Sequence, residues 1–269
     1  MIKKPFIACL ATLGLLVLVE FFLYSCTDRN AQASKEFSKA EQEDIYYNNL
    51  SFANEPLPVA DGHVIPRVKR VLKSYHYRTL RSYKLHHKAS KWFPVMEPIL
   101  TKYGIPEDFK YIPLVESGLQ SGTSAKGASG LWQFMPHTAR AYGLKVNGRV
   151  DERHQIEKST IAACKYLRSL YREFNSWTLV AAAYNIGENK LKRVIRRQDQ
   201  DNYFRMRFNP ETAVYVYKLV AMKEIIERPA SYGYHRAQSP LMAINRNDQR
   251  YLLEYLGSGL SANMRFKMN

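Results

Sequence analysis

The first side chain with the chemistry of a catalyst is the carboxyl of Glu116. Glu116 shares a helical row with Phe109 and Ile112, and Leu119 extends that row, so the other members are apolar. Burial disfavours a charged carboxylate and raises its pKa, from about 4.3 towards about 6 in sites of this kind. A glutamate with a raised pKa can donate a proton near neutral pH, which makes Glu116 the candidate general acid. Taken alone, a glutamate near a helix end is more often a solvated or paired residue.

A loop of small residues follows this glutamate. Residues 121–130 (SGTSAKGASG) lead into residues 131–136 (LWQFMP). Glycine and serine in such a loop let the backbone approach a ligand closely and offer hydroxyl and N–H groups. The side chains of Trp132, Phe134 and Met135 fit either a hydrophobic core or the apolar wall of a sugar-binding groove.

Five helical segments separated by short loops are expected to position these residues. They are predicted at about 92–103, from Pro106 through Leu119, at about 159–174, at about 178–187, and from Asn209-Pro210 to Pro229. Residues 65–91 are rich in Arg, Lys, Tyr and His, and their apolar spacing predicts a basic helical lead-in. A solvated face is favoured there over a dedicated binding surface. With no run of alternating strands, the predicted fold class is mainly α.

The net charge and the N-terminus restrict the compartment and the partners. The formal net charge of +16 draws the protein towards polyanions such as nucleic acid, anionic lipid or an acidic cell wall. Residues 1–4 contain two lysines and residues 5–25 are almost wholly apolar, which is typical of a secretory signal or a membrane anchor. Export argues against nucleic acid as a partner.

The apolar stretch ends at Leu23-Tyr24-Ser25-Cys26. These residues resemble the lipobox of bacterial lipoproteins, in which the cysteine is lipidated and becomes the first residue of the mature chain. The alternative is an uncleaved membrane helix, because an apolar run of about 20 residues is long enough to span a bilayer. Thr27 after the cysteine favours the outer membrane, by resemblance to enterobacterial sorting.

The other cysteines predict neither a disulfide nor a reactive thiol. Cys9 lies inside the apolar stretch, and Cys164 lies in a helical pattern with Ala163 and Leu167, which predicts a buried core thiol. The seven histidines include no H-E-x-x-H motif and no Cys/His cluster. The sequence therefore predicts no metal site and no cofactor.

Four motifs occur in a characteristic order along the chain. They are Glu116-Ser117, then residues 127–133 (GASGLWQ) with 135–139 (MPHTA), then residues 183–187 (AYNIG), and finally Glu211-Thr212 with Tyr215-Val216. This ordered set resembles the soluble-lytic-transglycosylase family, whose catalytic domain resembles goose-type lysozyme. Trp132, Pro106-Glu107-Asp108 and residues 150–153 (VDER) look most like the membrane-bound lytic transglycosylase D group. The resemblance covers roughly residues 65–230, and the ordered set is far more specific than any single motif.

The resemblance implies a role for each matched side chain. Glu116 would act first as the acid and then as the base. Ser124 and Gln133 would form hydrogen bonds to the sugar beside the scissile bond, and Met135 would line that subsite. Two further residues, Tyr184 and Asn185, would lie over the catalytic carboxyl and orient it.

Glu211 is the remaining residue to which the resemblance gives a role. It would support the groove or its loops. An acid directly after Asn209-Pro210 is also ordinary chemistry for the start of a helix, where it complements the helix dipole.

The implied reaction is that of a lytic transglycosylase. Such an enzyme protonates the oxygen that joins N-acetylmuramic acid to N-acetylglucosamine, and the muramoyl 6-hydroxyl then attacks C1 of the same sugar to give a 1,6-anhydro product. Ordinary glycosidases use two carboxylates. Intramolecular attack has a large effective concentration, so one carboxyl suffices. The alternatives are a lysozyme-type hydrolase on the same fold and an inactive peptidoglycan-binding lipoprotein.

The predicted organisation has five parts. They are a signal peptide with a lipid or membrane anchor (1–26), a flexible tether (27–60), a basic helical lead-in (61–91), a lysozyme-like lytic transglycosylase domain (92–232) and a C-terminal tail (233–269). LysM repeats are common in the resembled group, but residues 233–269 are too short and wrongly composed for one. The expected location is the bacterial cell envelope, as an outer-membrane lipoprotein facing the periplasm. Its expected partners are peptidoglycan strands, the membrane and cell-wall remodelling complexes.

Overall fold

The computed structural model describes residue 32 and residues 41–234, which fall into two units divided after Leu50. In the first unit, residues 41–48 form helix α1. The second unit holds all the other elements described below. The predicted anchor, including Cys26, and residues 235–269 of the predicted tail lie outside the described residues. Among the helices of the described part, none is both long and apolar enough to cross a membrane.

The second unit is mainly α-helical, which confirms the predicted fold class. Its α-helices are α2 (Val64–Tyr75), α3 (Tyr77–Leu80), α4 (Lys84–Lys102), α5 (Tyr111–Ser117), α6 (Pro136–Ala141), α7 (Ile156–Phe174), α8 (Trp177–Ile186), α9 (Glu188–Gln198) and α10 (Tyr215–Glu227). Short 3₁₀ helices lie at Glu107–Lys110, Glu152–His154, Tyr203–Arg205, Thr212–Val214 and Pro229–Tyr232. Two short antiparallel strands, β1 (Ser51–Phe52) and β2 (Glu55–Pro56), pair with Ser51 opposite Pro56.

Helix α10 forms the centre of this unit. It packs against α2, α4, α5 and α8. Its side chains are buried on nearly every face, including those of Val216, Leu219 and Ile225. A helix that is apolar all round has to be covered on all sides, and the surrounding helices supply that cover. Because α5 is one of them, the helix that carries Glu116 rests directly on the core.

Two helices of the second unit were missed by the sequence prediction, as was α1 in the predicted tether. Helix α6 begins at Pro136, a residue suited to the first helical position, although the sequence prediction has no helix there. Helix α9 begins directly after Gly187, whose φ of 90° ends α8. A glycine that ends one helix can also begin the next, and Glu188 in the first turn complements the dipole of α9.

The predicted row of residues around Glu116 is shorter in the structure. Phe109 and Ile112 are buried as expected. Helix α5 ends at Gly118, which has a left-handed conformation, and Leu119 follows with a φ of 53°. Leu119 is therefore buried after the end of the helix, not within its row.

The predicted tether also differs from the structure at its C-terminal end. The ring of Phe52 packs against Phe109 at a centroid distance of 5.2 Å, and the backbone N–H of Ala53 donates to Asp108 Oδ2 at 2.7 Å. The carboxylate of Glu55 accepts hydrogen bonds from the backbone N–H groups of Trp177 and Thr178 at the start of α8. Residues 51–60 are thus part of the second unit, because Glu55 satisfies the free N–H groups of that helix.

Cys164 lies on α7 and is completely buried, as the sequence predicted. Burial raises the pKa of its thiol to about 12. The thiol is therefore protonated near neutral pH and packs as a small apolar group.

Candidate active site

Glu116 occupies the last turn of α5 and is half-buried. Burial is the largest influence on its carboxyl and raises the pKa, and the negative charge of Glu211 acts in the same direction. A hydrogen bond from the Tyr215 hydroxyl to Oε1, at 2.5 Å, and the positive charge of Lys218 act in the opposite direction. The pKa remains above its ordinary value, which is the direction expected of an acid that must be protonated near neutral pH.

Ser117, the second residue of the first motif, ties α5 to the loop that follows. Its Oγ lies 2.9 Å from the backbone oxygen of Pro113 and 2.9 Å from that of Leu131. A hydroxyl has one proton to donate, so the two carbonyl groups share it. The contact fixes residues 131–136 close to the end of the helix that carries Glu116.

Arg153 anchors the small-residue loop from the other side. Its guanidinium donates to the backbone oxygens of Gly127 at 2.7 Å and Phe134 at 2.9 Å, and Asp151 holds the guanidinium through both carboxylate oxygens. Gly130 has a φ of 76°, and a Cβ built on it would lie 1.9 Å from the backbone oxygen of Arg153. The loop can follow this path only with glycine at position 130.

His154 adds two contacts to the same loop. Its Nδ1 lies 2.7 Å from Ser121 Oγ, and its Nε2 lies 3.0 Å from Ser129 Oγ. Residues 151–154 therefore hold both ends of the segment 121–129. The VDER residues and the histidine that follows them are thus linked directly to the small-residue loop.

Gln133 and Ser124 each keep one polar group for a ligand. Gln133 has a left-handed backbone, and its Nε2 donates to the oxygens of Gly122 at 3.1 Å and Gly130 at 2.8 Å. Both amide hydrogens are thereby used, which leaves the carbonyl oxygen as an acceptor. Ser124 is exposed, and its Oγ accepts from the Ala128 N–H at 3.0 Å, which leaves the hydroxyl proton to donate.

Tyr184 lies within electrostatic range of Glu116, but the hydrogen bonds of Tyr184 and Asn185 go to other groups. The Tyr184 hydroxyl donates to the backbone oxygen of Trp132 at 2.7 Å. Asn185 Nδ2 donates to Glu211 Oε1 at 3.0 Å, and its Oδ1 accepts from Thr212 Oγ1 at 2.7 Å. Their expected role in orienting the carboxyl stays a prediction. Asn185 also positions Glu211, whose negative charge acts on Glu116.

Tyr215 is a candidate functional residue that the sequence prediction missed. It begins α10, is buried, and is the residue whose hydroxyl contacts Glu116. The Tyr215-Val216 pair was recognised as a motif, but no role was assigned to it. A signal was present, because a buried tyrosine hydroxyl requires a hydrogen-bond partner.

Gln133, Tyr184 and Asn185 also line a groove of about 670 Å³, which we call the aromatic groove. It is lined by Gln133, Phe134, Met135, His137, Thr138, Ala141, Tyr142, Tyr166, Tyr184, Asn185, Ile186, Gly187, Glu188, Asn189, Lys190 and Arg193. Four of these were predicted site residues: Gln133, Met135, Tyr184 and Asn185. Glu116, Ser124 and Glu211 are not among the lining residues. Nowhere in residues 41–234 do three or more His, Cys, Asp or Glu side chains cluster to hold a metal ion.

One wall of the aromatic groove is a row of tyrosine rings that are tilted relative to one another. The ring centroids of Tyr142 and Tyr166 lie 5.0 Å apart, and those of Tyr166 and Tyr184 lie 5.6 Å apart. Met135 adds an exposed apolar side chain to the lining. Such a wall suits the apolar faces of a sugar ring, with Gln133 and Asn185 able to meet its hydroxyl and amide groups. Tyr142 and Tyr166 were missed because neither belongs to a recognised motif.

Comparison with known proteins relates part of this arrangement to a family model. Residues 96–206 match the family model described as the transglycosylase SLT domain. The chain contains an SLT domain. The match confirms the resemblance to soluble lytic transglycosylases, and it includes Glu116 and the aromatic groove. Glu211 and Tyr215 lie beyond the C-terminal end of the matched range.

Relatives of the SLT domain include membrane-bound lytic murein transglycosylase D of Escherichia coli (strain K12), which is 33% identical over 138 residues. That alignment covers 49% of this chain and 30% of the relative. A protein of Alteromonas sp. (strain M-1) named for tributyltin chloride resistance is 33% identical over 113 residues, with 40% and 55% covered. The chain thus spans about a third to a half of these relatives' lengths.

The crystal structure of the 70 kDa soluble lytic transglycosylase Slt70 from Escherichia coli aligns at 22% identity with a TM-score of 0.41, covering 58% of this chain and 27% of that one.

Proposed function

We propose that this protein is a lytic transglycosylase of peptidoglycan. It cleaves the β-1,4 bond between N-acetylmuramic acid and N-acetylglucosamine without water and leaves 1,6-anhydromuramoyl ends. The SLT domain and the relative named lytic murein transglycosylase D support this proposal. The observation that carries it is the half-buried carboxyl of Glu116, whose pKa is raised and which lies among the matched motifs.

The first step of the reaction needs the protonated form of Glu116. Burial and the charge of Glu211 favour that form, so the carboxyl can donate its proton to the glycosidic oxygen. The C1–O bond then breaks, and the leaving sugar takes the proton. Gln133 and Ser124 hold the muramoyl sugar, and its N-acetyl group helps to stabilise the positive charge that develops at C1.

The second step needs the ionised form of the same carboxyl. The carboxylate takes the proton of the muramoyl 6-hydroxyl while that oxygen bonds to C1, which restores the acid for the next cycle. The hydrogen bond from Tyr215 stabilises the ionised form and fixes Oε1. Because the nucleophile belongs to the same sugar, its effective concentration is far above that of a second reactant in solution.

One observation favours a second candidate, a lysozyme-type hydrolase. The negative charge of Glu211 acts on Glu116, so a second carboxyl lies within electrostatic range of the acid. A second carboxylate is what a hydrolase uses to activate water or to attack the sugar. Glu211 is exposed and receives a hydrogen bond from Asn185, which suits a supporting role at the rim of the site.

Mass spectrometry of the products from purified peptidoglycan distinguishes the two reactions. Anhydromuramoyl ends are expected from wild-type protein, and Glu211→Gln should reduce the rate without changing the product. Reducing ends as the main product would make the protein a hydrolase, and loss of those ends in Glu211→Gln would identify Glu211 as its second carboxylate. No cleavage at all would favour the remaining alternative, an inactive peptidoglycan-binding lipoprotein.

We also propose that the protein is held at the bacterial cell envelope by residues 1–26, with the catalytic unit in the periplasm. The lipobox-like residues ending at Cys26 and a relative named membrane-bound support an outer-membrane lipoprotein. Cell-wall remodelling or turnover, alone or in a complex, is the role that fits this place. Cys26→Ser should release or mislocalise the protein, whereas Cys9→Ser should not. A Cys26→Ser protein that stays in the membrane at its unprocessed mass would indicate an uncleaved helix.

A further inference from the structure

Helix α9 brings two cationic side chains into the aromatic groove. Lys190 and Arg193 are both exposed and both line it. They follow directly after the AYNIG motif, which supplies Tyr184 and Asn185 to the same groove. One groove therefore joins the candidate sugar-binding residues to a pair of positive charges.

The acidic side chain that lines the groove with this pair is already engaged. Glu188 also lines the groove, but its Oε1 accepts a hydrogen bond from Lys192 at 2.8 Å, and Lys192 in turn pairs with Glu173 at 2.9 Å. Within the part of the chain that the structure describes, neither Lys190 nor Arg193 forms an ion pair. Glu188 is the single acid among the groove residues named above, so the α9 end of the groove carries a net positive charge.

An uncharged glycan does not account for that charge. N-acetyl sugars present hydroxyl, amide and apolar faces, which Gln133, Asn185 and the tyrosine wall can meet. A muramoyl sugar also bears a lactyl group, to which a stem peptide with free carboxylates is attached. An arginine guanidinium binds a carboxylate through two parallel hydrogen bonds, and a lysine adds a mobile point charge.

We propose that Lys190 and Arg193 bind carboxylates of the stem peptide, so that strands bearing acidic peptides are preferred over bare or neutralised strands. This inference rests on the proposed function, because it assumes that the aromatic groove holds a glycan strand. The pair acts on affinity for the strand, and Glu116 carries out the chemistry. Two solvent-exposed ion pairs change a binding constant by about 2- to 30-fold, and added salt weakens them.

The test measures binding by the full-length chain in a Glu116→Gln background, in which strands stay intact. K190Q/R193Q is compared with R70Q/K73Q, a pair of exposed cations on α2 that do not line the groove, so both variants lose the same charge. Three strand preparations are used: strands with stem peptides, the same strands with their carboxylates amidated, and strands stripped of peptides by an amidase. The last preparation keeps only the lactyl carboxylates.

We expect K190Q/R193Q to weaken binding to peptide-bearing strands about tenfold at low salt, while R70Q/K73Q changes it less than about twofold. The loss should disappear on amidated and on stripped strands. An equal loss on amidated strands, or no loss on any preparation, would overturn the proposal. An equal loss on stripped strands would assign the pair to the lactyl carboxylate instead. If the protein with Glu116 intact binds strands but does not cleave them, the proposed activity is wrong. The binding comparison still decides whether Lys190 and Arg193 recognise the stem peptide.

Discussion

The hydroxyl of Tyr215 donates a 2.5 Å hydrogen bond to Oε1 of Glu116, which lies 99 residues earlier in the chain. The contact joins the first residue of α10 to the last turn of α5. Burial favours the protonated carboxyl, whereas this hydrogen bond favours the ionised one. The proposed reaction requires both forms in each catalytic cycle, so Tyr215 keeps the carboxyl from being held in its protonated form.

Replacing Tyr215 by Phe should therefore move the pH dependence of the reaction. The ionised carboxylate loses a hydrogen bond, the pKa of Glu116 rises further, and the pH above which kcat/KM falls should increase. A hydrogen bond to a charged group contributes about 1.5–3 kcal/mol, so kcat should also decrease by at least about tenfold. The pH profile of kcat/KM measures the shift.

Tyr217→Phe is the matched control for this change. Tyr217 lies two residues further along α10, and the charged groups that act on its hydroxyl are Arg67 and Asp61, not Glu116. Removing the Tyr217 hydroxyl should leave the pH profile of kcat/KM unchanged. A Tyr215→Phe profile identical to that of Tyr217→Phe would show that the contact has no influence on the acid.

Glu116→Gln should nearly abolish turnover while making the fold more stable at neutral pH. A positioned general acid accelerates a reaction by about 10² to 10⁴, and glutamine cannot donate the required proton. The folded-state pKa of Glu116 is raised, so the stability it contributes is present at low pH and lost as the pH rises through that pKa. Glutamine carries no charge, so the variant does not lose this stability as the pH rises.

Thermal unfolding as a function of pH checks the stability half of this prediction. The Tm of Glu116→Gln should exceed that of the wild type at about pH 8, and the difference should shrink towards about pH 4. A variant less stable than wild type at the higher pH would contradict the assigned burial. Near wild-type turnover would contradict the assignment of Glu116 as the acid.

Gly130 and Gly122 offer a matched pair within the small-residue loop. Alanine at position 130 would place its Cβ 1.9 Å from the backbone oxygen of Arg153, at a φ of 76°, so either the backbone must move or the loop must open. We expect Gly130→Ala to lower the free energy of unfolding by about 3 kcal/mol or more, up to failure to fold. Nothing lies within 4 Å of a Cβ at Gly122, so Gly122→Ala should stay within about 0.5 kcal/mol of wild type. Denaturant unfolding compares the two, and equal losses would contradict the loop path described.

The local features of this chain were predictable from its sequence. Helical periodicity and cap residues place α7 and α8 to within a few residues, and the apolar surroundings of Glu116 indicate its raised pKa. These signals act between residues close together in the chain. Sequence patterns that repeat every three to four residues are therefore enough to predict these features.

The parts that were missed depend on partners far apart in sequence. Glu55 caps α8 from more than 120 residues away, and nothing near Glu55 distinguishes it from a residue in a polar tether. The Tyr215 contact with Glu116 and the position of Tyr166 in the aromatic groove arise in the same way, when separate helices pack together. A single sequence contains the residues of such pairs without stating which ones meet.

Digestion of peptidoglycan in oxygen-18 water tests the central claim most directly. If the muramoyl 6-hydroxyl traps the reacting carbon, the new ends are 1,6-anhydromuramoyl groups and contain no label. If water traps it, each new reducing end carries one oxygen-18 atom. We predict unlabelled anhydro ends as the main product, with none formed by Glu116→Gln, and labelled reducing ends as the main product would contradict the account.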